Sequence, residues 1–147
     1  MNTKLIITFF LGIIIFTGAS AQVITVAQHA KTDFGERYKN AKDPKWTNNV
    51  TYYICKFKDN GVASTAYYHL DGYWNYTERM IDSTKVPAVV KDSFGKSKYR
   101  DWKAKPAVLI EDQKNGTLYR YEVKKGIEKK YVFFDREGKL FKVNATI

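Results

Sequence analysis

Cysteine, histidine and proline are nearly absent from this 147-residue chain, with one, two and three copies respectively. A single thiol, Cys55, excludes an internal disulfide. It sits in the alternating run Tyr53-Ile54-Cys55-Lys56-Phe57, on the same side as Tyr53 and Phe57, which predicts a buried, inert thiol. A nucleophile would need a histidine and a third orienting group, and neither His29 nor His69 has that local context. The two histidines make no metal-ligand spacing with the cysteine. Carboxylates are scattered among lysines, with no pair in an apolar setting that would drive their pKa values apart. There is no Gly-rich phosphate loop, nucleophile elbow or Ser/His/Asp arrangement. Asp71-Gly72 and Asp135-x-x-Gly138 lack the alternating oxygens of a calcium loop and read as turns. With these signatures missing, the chain is expected to be no enzyme and to carry no metal or cofactor.

Acids are also scarce, 15 against 25 Lys and Arg, for a formal net charge of +10. Only one long apolar run occurs, Leu5–Phe16, preceded by Lys4 and followed by Ala19-Ser20-Ala21. That order is a Sec-type signal peptide over residues 1–21, with no lipobox cysteine. The competing reading, an uncleaved anchor, needs a span of roughly 20 residues, longer than this run. The mature protein would start at Gln22, in the periplasm or outside the cell, with no transmembrane segment left. Removing Lys4 takes the formal charge to +9. On a cytosolic chain this would suggest nucleic acid. Export removes that partner, and Lys130–Asp135 lacks the Gly-aromatic-Gly core of an RNA-binding strand. An anionic partner remains open, as does the plainer reading of lysines as solvated outer faces of strands.

What is abundant is aromatic residues, 11 Tyr, 9 Phe and 3 Trp, set in alternating runs. Leu118–Val143 holds three such runs separated by Lys-Lys-Gly and Asp-Arg-Glu-Gly, an antiparallel meander. Tyr52–Thr77 is a looser copy, with Asn60-Gly61 and Asp71-Gly72 as turns. A helical stripe precedes each copy. Val23–Asn40 spaces Val23, Val26, Ala27, Ala30, Phe34 and Tyr38 on one face, with Gly35 a point to bend or stop. Val86–Tyr99 does so with Val86, Val89, Val90 and Phe94, and Pro87 suits its first turn. From Trp102 the chain reads as extended, and Pro106 there argues for an edge strand or a bulge.

The two halves are copies. Val26, Lys31, Phe34 and Gly35 recur sixty positions on as Val86, Lys91, Phe94 and Gly95. Tyr53, Phe57 and Lys58 answer Tyr119, Val123 and Lys124; Leu70-Asp71 answers Phe134-Asp135, and Trp74 answers Leu140. The expected fold is α+β: two tandem units, about 22–82 and 83–147, each a helix on an antiparallel meander of about four strands. A unit of roughly 60 residues is marginal alone, so the halves should pack together.

Val86, Pro87, Val90 and Phe94, then Tyr119, Val123 and Lys124, then Phe134, Asp135, Gly138, Lys139 and Leu140 resemble the PepSY-like family. That family is related to the beta-lactamase inhibitor protein fold. The resemblance spans residues 22–147 as two copies, the first with Ala27 in place of the Pro. It implies a small exported α+β protein of Bacteroidetes-type bacteria without a known activity. Inhibition of a beta-lactamase is implied by shape alone and is not carried over. On this reading the Asn-x-Thr sequences at Asn49, Asn75, Asn115 and Asn144 are turn asparagines rather than glycan acceptors.

Alternation assigns two faces. Tyr53, Cys55, Phe57, Tyr68, Leu70, Tyr119, Tyr121, Val123, Val132 and Phe134 should meet the helices. The other face should carry Tyr52, Ile54, Tyr67, His69, Tyr73, Tyr131 and Phe133, with Arg120, Glu122 and Lys124. Aromatics with arginine on a solvent-facing sheet suit protein binding, or else they are cross-strand pairs that stabilise the sheet. The expectation is a non-catalytic binder or inhibitor of another envelope or extracellular protein. Its contacts would be Tyr52, Tyr67, His69, Tyr73, Tyr131 and Phe133, with Arg120 and Lys124 steering an acidic partner. A small-ligand or glycan module, which would need a deep pocket, and a structural envelope protein are the alternatives.

Overall fold

The computed structural model describes residues 26–145. The expected signal peptide and Val23 lie outside them. Two helices, α1 (Gln28–Arg37) and α2 (Ala88–Lys96), and nine strands follow in order. The first unit carries β1 (Ala41–Asn48), β2 (Tyr52–Asp59), β3 (Val62–His69) and β4 (Trp74–Met80). The second carries β5 (Lys103–Ala104), β6 (Val108–Asp112), β7 (Gly116–Lys125), β8 (Glu128–Asp135) and β9 (Leu140–Ala145). All pairings are antiparallel, in the order β1-β2-β3-β4-β6-β7-β8-β9, with the short β5 also on β7. The halves therefore do not stack. They join edge to edge through β4 and β6 into one sheet.

Pro106 falls between β5 and β6, which pair with successive parts of β7. A residue without an N–H cannot continue a ladder, so the strand breaks there. Gly35 does not end α1, which runs two residues further; a Cβ added at that glycine would meet nothing within 4 Å. Pro87 sits at the N-terminal boundary of α2, where its fixed φ of −53° leads into the first turn.

Both helices cover the same side of the sheet. The cross-strand row Phe57, Ser64, Arg79, Leu109, Tyr119, Phe134 runs through both units on that side. Under α1 a core forms from Val26, Ala30, Phe34 and Tyr38 with Cys55, Phe57, Ala66 and Tyr68. Under α2 Val86 and Val90 pack on Tyr119, Tyr121, Val123, Val132 and Phe134. Burying each large apolar side chain contributes about 1.5–3 kcal/mol. Two of the expected core positions differ. Leu70 is 48% exposed, because β3 ends at His69 and Leu70 enters the turn. Val89, placed on the apolar stripe of α2, is 45% exposed.

The repeat persists in the turns. Gly72 follows β3 and lies against α1; Gly138 follows β8 and lies against α2. A Cβ at Gly72 would stand 3.1 Å from His29 Cβ and 3.2 Å from the Ala30 N. At Gly138 it would stand 2.8 Å from the Val89 carbonyl oxygen and 2.7 Å from Ser93 Oγ. Gly138 also has φ +81°, and the Asp135 side chain accepts from the N–H groups of Glu137 and Lys139 to shape this turn. Gly138→Ala should cost at least about 1–3 kcal/mol in urea unfolding, from backbone strain plus the clash with α2. Gly126→Ala, with φ +59° and open space, is the control and should cost less. Equal losses in the two variants would show that the contact with α2 contributes nothing.

Candidate functional site

The sheet side away from the helices has its own buried floor. Ile110, Leu118 and Phe133 are buried there, at 4%, 2% and 7% exposure, packed by Tyr76, Val108 and Tyr131. Their register places them together: Ile110 is opposite Leu118, Arg120 opposite Val108 and Phe133, and Phe133 opposite Lys142. A face with no helix on it buries three large side chains only if it is hollowed and its rim residues lean inward. Two open depressions mark that hollow, of about 740 Å³ and 320 Å³. Glu78 and Arg120 line both, so they form the saddle between them.

The saddle is a two-pronged ion pair. Arg120 Nη1 donates to Glu78 Oε1, and Nη2 donates to Oε2 at 3.1 Å. Both side chains are more than four-fifths buried, at 17% and 18% exposure. Such a pair is held in place by its planar geometry, and removing either partner would strand a charge.

On one side of the saddle lies an aromatic cluster. Tyr67 and Tyr76 stack at 4.3 Å, and Tyr52 meets them edge-on at 6.0 and 6.2 Å. His69 lies 5.5 Å from Tyr52. The Arg120 guanidinium covers the face of Tyr131 at 4.6 Å, and Lys142 Nζ covers Phe133 at 4.6 Å. Burial, and secondarily Glu78, pushes the Tyr67 phenol above its ordinary pKa. Burial pushes Tyr76 up further, helped by Tyr67 and Glu78. Both stay neutral hydrogen-bonding groups at any physiological pH. On the other side of the saddle, Lys45, Lys56 and Lys58 line the larger depression with Thr65, Met80 and Val108.

The structure brings Tyr52, Tyr67, His69, Arg120, Tyr131 and Phe133 together on this face. Tyr73 is elsewhere. It follows β3 in the turn, and its ring packs edge-on against His29 of α1 at 4.6 Å, on the helix side. Lys124 shares the face of Arg120, but lies four residues along β7, about 13 Å away. Glu122, between them, is held by Lys105 at 2.8 Å and Lys129 at 3.7 Å, which separates Lys124 from the aromatics.

Tyr76, Glu78, Ile110, Leu118 and Lys142 line the same face, beyond the contacts expected from sequence. For Tyr76, Glu78 and Lys142 the reason is a bulge. Tyr68 pairs with Trp74 but Tyr67 with Tyr76, so Asn75 is an extra residue. Trp74 then packs in the core under α1 while Tyr76 faces the hollow. The same bulge recurs at Phe141, between Leu140 opposite Phe134 and Lys142 opposite Phe133. The hint available in sequence was the matching of Trp74 to Leu140.

Elsewhere, Cys55 is fully buried and its thiol is pushed up to about 12 by burial, which leaves no thiolate at neutral pH. Among the described residues no three His, Cys, Asp or Glu are grouped to hold a metal ion, and no helix is long and apolar enough to cross a membrane.

No protein-family model matches the chain, and no curated protein matches it. Solved structures do. A BLIP-like protein from Bacteroides fragilis has 22% identity and TM-score 0.75, over 84% of this chain and 89% of that one. A DUF2874 family protein from Bacteroides ovatus has 20% identity and TM-score 0.73, over 83% and 89%. A Bacteroides eggerthii protein, provisionally described as periplasmic, has 18% identity and TM-score 0.71, over 82% and 89%. The chain thus has the BLIP-like fold of two helix-plus-antiparallel-sheet units, as the resemblance implied.

The phenols give a test of the cluster. Tyr67 and Tyr76 are raised in the folded state, so stability they contribute is fully present below the unfolded value of about 10 and is lost as pH rises beyond it. In a spectrophotometric titration at 295 nm, part of the absorbance of the eleven tyrosines should lag until alkaline unfolding. Tyr67→Phe/Tyr76→Phe should shrink the lagging fraction. An unchanged fraction would mean that this cluster is not shielded from water.

Proposed function

We propose that the protein is an exported, non-catalytic member of the PepSY-like group that binds another protein through the hollow sheet face. One observation carries this reading: a hollow sheet face with a close-packed apolar floor of Ile110, Leu118 and Phe133, tyrosines and an arginine at its rim, and no helix over it among the described residues. Tyr and Arg are enriched at interface hot spots, Tyr because it buries much area with two side-chain torsions and Arg because its planar fork makes several hydrogen bonds at once. Here cross-strand packing and the Glu78 pair hold them in place before any partner arrives, which lowers the ordering cost of association. Binding in the inhibitory sense is the same contact made on a partner's working surface.

A glycan or small-ligand module fits the geometry less well. Sugar rings stack on open aromatic faces, and these faces are taken. Tyr67 and Tyr76 cover each other, Arg120 covers Tyr131 and Lys142 covers Phe133. The depressions are open hollows of the sheet rather than the enclosed pockets that bury most of a small ligand.

The experiment is affinity capture from envelope and secreted extract, with the purified exported chain as bait. Tyr52→Ala/Tyr131→Ala, two rim changes that leave the floor intact, runs beside it. A partner held by the wild type should lose at least about 2 kcal/mol, some thirtyfold in Kd, with the variant. The variant's circular dichroism should stay native. Partners captured equally by both baits would overturn the face as the binding surface.

A further inference from the structure

Lys42, Lys45, Lys56 and Lys58 stand on the hollow side of β1 and β2 as two directly opposed pairs, Lys42 with Lys58 and Lys45 with Lys56. All four are exposed, and among the described residues none makes an ion pair. Like charges directly across a strand pair destabilise it, so this arrangement works against the fold. The one acid lining this end of the hollow besides the committed Glu78 is Asp43, at the bulge of β1. The lysines are therefore a concentrated, uncompensated positive field at one end of the hollow.

They continue directly into the apolar part of the face. Along β2 the hollow side reads Tyr52, Ile54, Lys56, Lys58: two apolar side chains, then two cations, about 6.8 Å apart at each step. That spacing is also the spacing of alternate side chains in any extended peptide. We infer that this strip receives an extended acidic segment of the partner protein. Two carboxylates on alternate residues would lie over Lys56 and Lys58, and apolar side chains over Ile54 and Tyr52. Lys45 and Lys42 face the same carboxylates from β1. This rests on the protein-binding reading of the face and adds the chemistry of the bound segment.

Charge complementarity favours a peptide over an acidic polysaccharide for a reason of pattern. A polyuronate carries charge at every residue, whereas only half of this strip is cationic and its other half is apolar.

The probe is a random dodecapeptide phage library, panned on the immobilised full-length exported chain, followed by synthesis of the enriched peptide. The expected winners carry Asp or Glu on alternate positions beside aromatic or aliphatic residues. Their affinity should fall at least tenfold with Lys56→Glu, and several-fold for the wild type between 50 and 300 mM salt. Lys56→Glu also removes a like-charge pair, so its Tm should equal or exceed that of the wild type, which excludes misfolding as the cause. Lys31→Glu on α1, an identical change of net charge, should leave affinity unaltered. Equal losses in the two variants would reduce the effect to net charge and overturn the inference. Enriched peptides without acids, lost with Tyr52→Ala/Tyr131→Ala, would overturn it while the protein-binding reading stands. Winners indifferent to every substitution would overturn both. No enriched peptide, together with Lys56-dependent binding of alginate, would replace the acidic segment with an acidic glycan.

Discussion

The pairing of β4 with β6 is the constraint on which both faces of this protein depend. Each unit has about half of a sheet and one helix, too little to bury a stable core alone. Five cross-strand pairs, from Tyr76 with Asp112 to Met80 with Val108, merge the two half-sheets. Consecutive residues of β4 then fasten the seam on opposite sides. Glu78 reaches across the hollow side to Arg120 of β7. Arg79 turns to the helix side, where it binds Glu111 of β6 at 3.1 Å and Asp59 of β2. Arg79 also lies 5.7 Å from the ring of Tyr38, which is hydrogen-bonded to Thr77. Thr77 Oγ1 in turn accepts from Trp74 Nε1 at 2.9 Å. This chain of polar contacts borders the core under α1, to which Tyr38 and Trp74 also belong, and ties it to the seam. No described buried side-chain polar atom is left without a partner.

Most of this architecture was legible because local signals agreed with one another. The 3.6-residue stripes Ala30, Phe34, Tyr38 and Val86, Val90 mark helices, alternation marks strands, and Asn-Gly and Asp-Gly mark turns. The sixty-residue repeat then gives the units. Alternation also separates Tyr53, Cys55 and Phe57 from Tyr52 and Ile54 correctly, because β2 contains no irregularity opposite β3. The hollow was less legible for two physical reasons. A bulge inverts the face of everything beyond it, so Tyr76 and Glu78 cannot be assigned from period alone. Ile110 and Leu118 read as ordinary core residues, and nothing local says that their core is the side without a helix. Tyr73 fails for a third reason: it lies in a turn, where the strand period no longer holds.

The hollow face is poorly optimised for stability on its own. Opposed lysines on β1 and β2 oppose pairing, and Asp43 adopts φ +54° where β1 bulges beside Pro44. These features have a second effect: a strand edge carrying Lys42, Lys45 and a proline resists edge-to-edge addition of another chain. Protection of the sheet edge therefore accounts for the exposed lysines of β1. It does not account for Lys56 and Lys58, which lie on an interior strand with a partner on each side. Their position calls for a reason beyond edge protection, and a binding role supplies one.

The hollow also depends on the joining of the units. Tyr52, Tyr67, Tyr76 and Glu78 come from the first, and Arg120, Tyr131, Phe133 and Lys142 from the second. A slip of one residue between β4 and β6 would turn Tyr76 and Glu78 to the helix side and bring Thr77 and Arg79 into the hollow. The Glu78 pair would then be lost, and Arg120 would remain as a cation without its counter-ion beside Tyr131. Register is thus specified twice, by the cores under the helices and by the saddle of the hollow. A face assembled from two halves in this way is presented only by a completely folded chain. A partially folded chain offers apolar strands but no matching arrangement of charge, so the arrangement of this face and completion of the fold depend on the same seam.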